Sequence, residues 1–147
     1  MKKLLGMLVI FAGLFTPLFA QSSEVYTTAK GAIQGYDPVA YFQEGKPVMG
    51  KKDLVYTWKG ADWYFASPEN RATFQAHPEK YAPQYGGYCA YGTAKGYKAP
   101  IDPAAWTIID HKLYLNYNQE VQKLWNKNQP EYIRTADQNW PEVKKKK

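Results

Sequence analysis

One thiol, two imidazoles and a dense set of phenols hold most of the chemistry available to this sequence. Cys89 is the only cysteine, and it sits in PEKYAPQYGGYCAYG, residues 78–92, among Tyr85, Tyr88, Tyr91 and three glycines. A thiolate is both a nucleophile and a soft-metal ligand. A buried thiol is instead a small hydrophobe with a weak donor. The neighbours Tyr88, Ala90 and Tyr91 supply no cation to activate the sulfur, and both readings stay open. On the functional reading, Tyr85 to Tyr91 forms one wall of a ligand pocket with Cys89 pointing inward. Gly86 and Gly87 would then let the backbone approach a ligand closely. His77 and His111 stand at no ligand spacing with another soft donor, and both are expected at the surface.

Other chemistries find little support. Two scattered histidines give no readable Ser-His-Asp set. YGGY lacks the lysine and the strand-loop-helix context of a phosphate loop. No pair of carboxylates lies in an apolar stretch that would raise a pKa. No second cysteine is present to resolve a mixed disulfide, and none can form an internal bridge.

Charge excludes a further class. The net charge of +6 comes from the two ends. Setting aside Lys2, Lys3 and Lys144–Lys147, the 19 basic residues fall to 13, against 13 acidic ones. A neutral domain lacks the basic surface that nucleic-acid binding needs. The four terminal lysines read as a solvated end or a cloning remnant rather than a nucleic-acid patch. At the N-terminus, Lys2 and Lys3 precede the apolar run Leu4–Phe15, and Leu18-Phe19-Ala20 ends in a small residue. This is the pattern of a secretory signal peptide over residues 1–20, too short to span a bilayer comfortably. An uncleaved N-terminal anchor is the alternative. Export to a periplasmic or extracellular location, with no stable membrane insertion after cleavage, is the expectation.

The elements that position these residues can be read coarsely. Residues 21–30 are polar and read as a loose lead-in. Asp37 before Pro38 is a helix N-cap with proline at the first helical position, predicting a short turn through Phe42. LVYTW and WYFAS are strand-prone runs joined by Lys59–Asp62, a hairpin signal. Ser67-Pro68 opens a helix that stops near His77, and Pro78 opens another turn ended by Pro83. Asp102-Pro103 predicts a helical turn containing Trp106. TIID and KLYLNY predict a hairpin around Asp110-His111. Asn118 caps a helix with Val121, Leu124 and Trp125 at core spacing. A last helix is expected from Pro130 to just before Pro141. Phe74 and Tyr81 are predicted core residues. The fold class is α+β, one domain over residues 31–141 with a small antiparallel sheet built from hairpins and short helices packed on it, followed by a basic tail over 142–147.

GYDPVAYF, WYFASPENRATFQAHPEKYAPQYGGYCAYG and KLYLNYN resemble the exported, stand-alone YHS-domain proteins, from about Gly31 to Pro141. The YHS domain is an aromatic α+β module related to a heavy-metal trafficking and sensing domain, and it also occurs attached to metal-transporting ATPases. The resemblance therefore implies metal handling. Metal-binding relatives resemble DPVC followed by YFCS and a further cysteine on the adjoining helix. Here those positions are Ala40, Ala66 and Asn70, so the thiolate set cannot be carried over. Asp37, Pro38, Tyr64, Phe65, Phe74, Pro78 and Tyr81 match the scaffold.

Three functions remain at this level. The first is an accessory protein binding a soft metal or a metal-bearing small ligand, with Cys89 as the metal ligand. A lone thiolate suits Cu(I) better than four-coordinate Zn(II), which makes copper the expected cofactor, with Met49 a conceivable partner. The second is thiol-redox chemistry at Cys89. The third is an interaction module with no chemistry, its partner a protein of the cell envelope. A non-enzymatic protein is the expectation.

Overall fold

A computed structural model describes residues 23–147, together with residues 12 and 13. Apart from those two, the expected signal peptide lies outside the described residues. Among them the chain is α+β: three antiparallel hairpins and six short α-helices. No described helix is long and apolar enough to cross a membrane.

The hairpins remain three separate two-stranded ribbons rather than one sheet. Strands β1 (Thr27–Thr28) and β2 (Gly31–Ala32) make the first. Strands β3 (Lys51–Trp58) and β4 (Ala61–Phe65) make the second, turning at Lys59 and Gly60 with φ of 50° and 71°. Strands β5 (Trp106–Ile109) and β6 (Lys112–Leu115) make the third, turning at Asp110 and His111 with φ of 50° and 62°. Two successive left-handed residues match the right-handed twist of the flanking strands, which makes these tight turns favourable. Strand β4 alternates as a half-buried strand should: Ala61, Trp63 and Phe65 point inward and Asp62 outward.

Helix α1 (Pro38–Gln43) starts at Asp37 and helix α2 (Pro68–Ala76) at Ser67, each side chain accepting from the first-turn amides. Helix α3 (Pro78–Tyr81) follows directly. A 3-10 turn over Gln84–Gly87 then leads to α4 (Ala90–Ala94), and α5 (Gln119–Asn126) and α6 (Gln129–Val143) close the chain. One core gathers Trp63, Phe65, Phe74, Tyr41, Leu113 and Leu115. A second lies under α4, α5 and α6 around Trp125, Tyr114, Tyr85 and Ala136. Phe74 is fully buried, and Tyr81 is half-buried against the first core.

Several expectations are corrected. The stretch before Gly31 is not loose. Val25 is in the core, and the Tyr26 N–H donates to Gly86 O at 2.9 Å. This crossing is so close that a Cβ on Gly86 would stand 1.7 Å from Glu24 O, and Gly86 has φ of +63°. Only glycine fits there. The folded unit therefore begins before residue 31. It also ends after 141, because Val143 is buried and α6 runs through Pro141. Proline in a helix removes one backbone bond and crowds the preceding turn. Burial of Val143 and packing of Trp140 on Tyr85 and Tyr88 hold the last turn regardless. Asp102-Pro103 makes a turn rather than a helix, with Asp102 accepting from Ala104 N, and Trp106 opens β5. On α5, Trp125 is buried but Leu124 is 42% exposed, since α5 buries only a narrow face. Helix α4 was not anticipated.

Candidate functional site

Helix α4 explains the cysteine. Cys89 occupies its N-cap, and Sγ accepts from Gly92 N at 3.4 Å. Sγ also accepts from Tyr117 N at 3.2 Å and donates to Asn116 Oδ1 at 3.5 Å. The residue is 1% exposed. Burial pushes its thiol pKa up, and the backbone N–H groups of Gly92, Tyr117 and Tyr91 offset this only in part. A thiol that is buried, hydrogen-bonded and protonated at neutral pH is a poor nucleophile. In the native protein Cys89 is accordingly expected to react with Ellman's reagent no faster than the chain unfolds. A complete, rapid burst at pH 8 without denaturant would show that the sulfur is reachable.

The three tyrosines named with it do not form one wall around the sulfur. Tyr91 N shares the Asn116 Oδ1 acceptor with Cys89, but the Tyr91 ring packs on Tyr132 under the Lys95 ammonium. The Tyr88 hydroxyl donates to Ser23 O at 3.0 Å, and Lys98 lies over its ring. Tyr85 adopts φ of 57° and turns away toward α6, donating to Asp137 Oδ1 at 2.8 Å. Burial, then that carboxylate, drives the Tyr85 phenol pKa far up. The neighbouring Tyr114 is pushed up to about 12, mainly by burial. Both stay neutral donors at physiological pH. His77 and His111 are exposed, as the sequence predicts.

The positions where metal-binding relatives carry cysteines do converge. They surround Asp37, which is completely buried. Its Oδ1 accepts from Val39 N at 2.8 Å and Ala40 N at 3.2 Å. Its Oδ2 accepts from Ala66 N and from Asn70 Nδ2, both at 2.8 Å. Ala40, Ala66 and Asn70 thus meet at one carboxylate, which four N–H donors saturate. Asp37 is therefore more than a helix cap, because its second oxygen ties α1 to the end of β4 and the start of α2. Neither place fits a copper ion. The Asp37 site has no thiolate and no spare lone pair, and the Cys89 sulfur is enclosed by backbone amides. Among the described residues no three His, Cys, Asp or Glu side chains are grouped to hold a metal.

Among the described residues, two of the larger clefts are places for a ligand, and Cys89 lines neither. One, of about 330 Å³, lies between Lys30, Gly35, Met49, Lys52 and Tyr64. It contains Met49, which therefore is not paired with the thiol. The other, of about 440 Å³, opens where the β3–β4 turn, α3, the 84–87 turn and α6 meet. Trp58, Lys59, Glu79, Tyr85, Asp137 and Trp140 line it. An adjoining cavity of about 90 Å³ shares Trp58, Lys59 and Trp140 and extends to Glu24 and Lys144. Ligand sites combine apolar, aromatic walls with a few convergent polar groups, and this second cleft has both. The sequence reading named Tyr85 but not Trp58, Trp140 or Asp137, which line this cleft with it. An indole flanking a Lys-Gly turn was a weak signal for Trp58. None pointed to α6, which reaches the cleft only by tertiary packing.

The comparison with curated proteins and that with solved structures return no match to this chain. Residues 39–85, from α1 through the turn that carries Tyr85, match the family model of the YHS domain. That segment, about a third of the chain, contains Asp37's partners Ala40, Ala66 and Asn70 and three residues of the larger cleft, Trp58, Lys59 and Tyr85, and over it the chain is similar to the YHS domain.

Proposed function

We propose that this protein is an exported binding module that takes its ligand in the Trp58–Trp140 cleft, with Cys89 serving as a structural cap. The observation that carries the reading is the pairing of two indole walls with the Tyr85–Asp137 hydrogen bond, while the single thiol is sealed. Export rests on the charged and apolar pattern of residues 2–20. The lining sets two carboxylates, Glu79 and Asp137, against one lysine, Lys59. That balance favours ligands with hydrogen-bond donors or a positive charge and a flat or apolar face to lie on the indoles. Saccharides and alkyl or aromatic amines meet this description.

The test has two arms. In the first, indole N–H resonances are followed while glucose, N-acetylglucosamine and tryptamine are added separately. At least one should shift the Trp58 and Trp140 signals, and Trp140→Ala should weaken that binding tenfold or more. In the second, Cu(I) is titrated anaerobically against a competing chelator into wild type and Cys89→Ser. The two should bind alike and weakly. Tight binding by wild type that the serine variant loses would return the site to the thiol.

A further inference from the structure

The C-terminal lysines are not a loose tail. Lys98 reaches across to them: its Nζ donates to Lys144 O at 3.0 Å and Lys146 O at 2.5 Å. The same ammonium donates to Ser23 O at 2.8 Å. Lys146 Nζ in turn donates to Gly96 O at 2.7 Å, and Lys144 Nζ stands 3.8 Å from Glu24 Oε1. The end of α6 is thereby stapled to the first described residues of the fold. Four ammonium groups, those of Lys98, Lys144, Lys145 and Lys146, make contacts at this corner, and Lys147 follows them in the chain. Two carboxylates oppose them, Glu24 and Glu142, and both ion pairs are exposed. Such pairs compensate charge only weakly.

This corner is also where the chain enters the fold. The apolar run Leu4–Phe15 ends only eight residues before Ser23. The strongly apolar segment of the sequence is therefore close along the chain to Ser23, which Lys98 holds at this basic corner. Trp140, a turn before Lys144, and Trp58 line the cavity that opens onto that corner. Lysines beside half-exposed indoles suit the interface of a bilayer.

We infer that the Lys98 and Lys144–Lys147 corner is a docking surface for an anionic lipid bilayer, and that it holds the domain against the membrane surface without inserting. Each lysine near such a surface contributes roughly fivefold in affinity, and salt weakens the contact. The corner shares Trp58 and Trp140 with the proposed ligand cleft, but the lysines that carry the inference lie outside the cleft lining.

The test uses residues 23–147, which contain every core contact described above, so that the apolar N-terminal segment does not itself bind lipid. Co-sedimentation is measured with vesicles of phosphatidylcholine alone and of phosphatidylcholine with 30% phosphatidylglycerol. Binding is expected to the anionic vesicles only, with release at 0.5 M NaCl. Lys145, Lys146 and Lys147 changed together to Gln should weaken it at least tenfold. The same charge change at Lys112, Lys123 and Lys127, at the start of β6 and on and just after α5, should leave it within twofold. Equal loss in both triple variants would show a bulk charge effect and overturn the assignment. So would equal binding to both vesicle types, or no binding to either. Displacement by 10 mM inorganic phosphate at constant ionic strength would identify a free-anion site instead.

Discussion

Phe74→Ala should destabilise the fold by about 3–5 kcal/mol, the range for removing a fully buried aromatic. Phe74 is 0% exposed and is the ring on which the second hairpin closes. Its centroid lies 5.2 Å from those of Trp63 and Phe65, 5.7 Å from Trp58 and 6.2 Å from Tyr56. Four aromatic neighbours drawn from both strands of the hairpin leave little freedom to collapse into the vacated space. The cost should then sit near the upper end, because an unfilled cavity adds to the lost transfer energy. Urea unfolding of both proteins, with equal m-values, measures it. A loss below about 1 kcal/mol would mean that the helix is not packed as described. Trp58 also lines the cleft proposed above to take a ligand, so on that proposal the variant should weaken binding even where it remains folded.

Asp37→Ala should cost about 4–5 kcal/mol through a different mechanism. Almost no apolar contact is lost, but four N–H groups lose their acceptor in a place water does not reach. A buried donor without a partner costs about 1–3 kcal/mol, and the four share one relaxation, so they do not add fully. Asp37→Asn separates charge from geometry. Its remaining oxygen can still serve Val39 and Ala40, but its amide nitrogen would face the donors of Ala66 and Asn70. A loss of about 2–3 kcal/mol is expected. An asparagine variant within 0.5 kcal/mol of wild type in urea unfolding would show that the second oxygen does not tie α1 to α2.

How much of this was legible follows residue by residue. The caps at Asp37, Ser67 and Asn118 were readable because capping is local. A short acceptor followed by proline or a helix-forming run satisfies its own first-turn amides wherever the segment lies. The Lys-Gly and Asp-His turns were readable for the same reason, and so was the burial of Phe74 on a helix facing an aromatic hairpin. The similarity of residues 39–85 to the YHS domain was also legible in the sequence. Helix α4 was missed because its cap is a cysteine and its five residues include a glycine, AYGTA, so no propensity announces it. The end of α6 was misplaced because proline is a local stop signal, and the burial of Val143 that overrides it is not local.

By itself, the sequence determined the α+β class, the order of turns and hairpins, the capped helix starts and the absence of a disulfide. All of these rest on interactions between residues close along the chain. Only the tertiary structure decided what surrounds the thiol, which residues line the clefts and what the terminal lysines touch. Cys89 meets Asn116 and Tyr117 from the far side of the third hairpin, Tyr85 meets Asp137 more than 50 residues on, and Lys98 joins Ser23 to Lys146. Contacts between residues so far apart depend on how the two cores pack side by side, and no spacing along the chain encodes that packing.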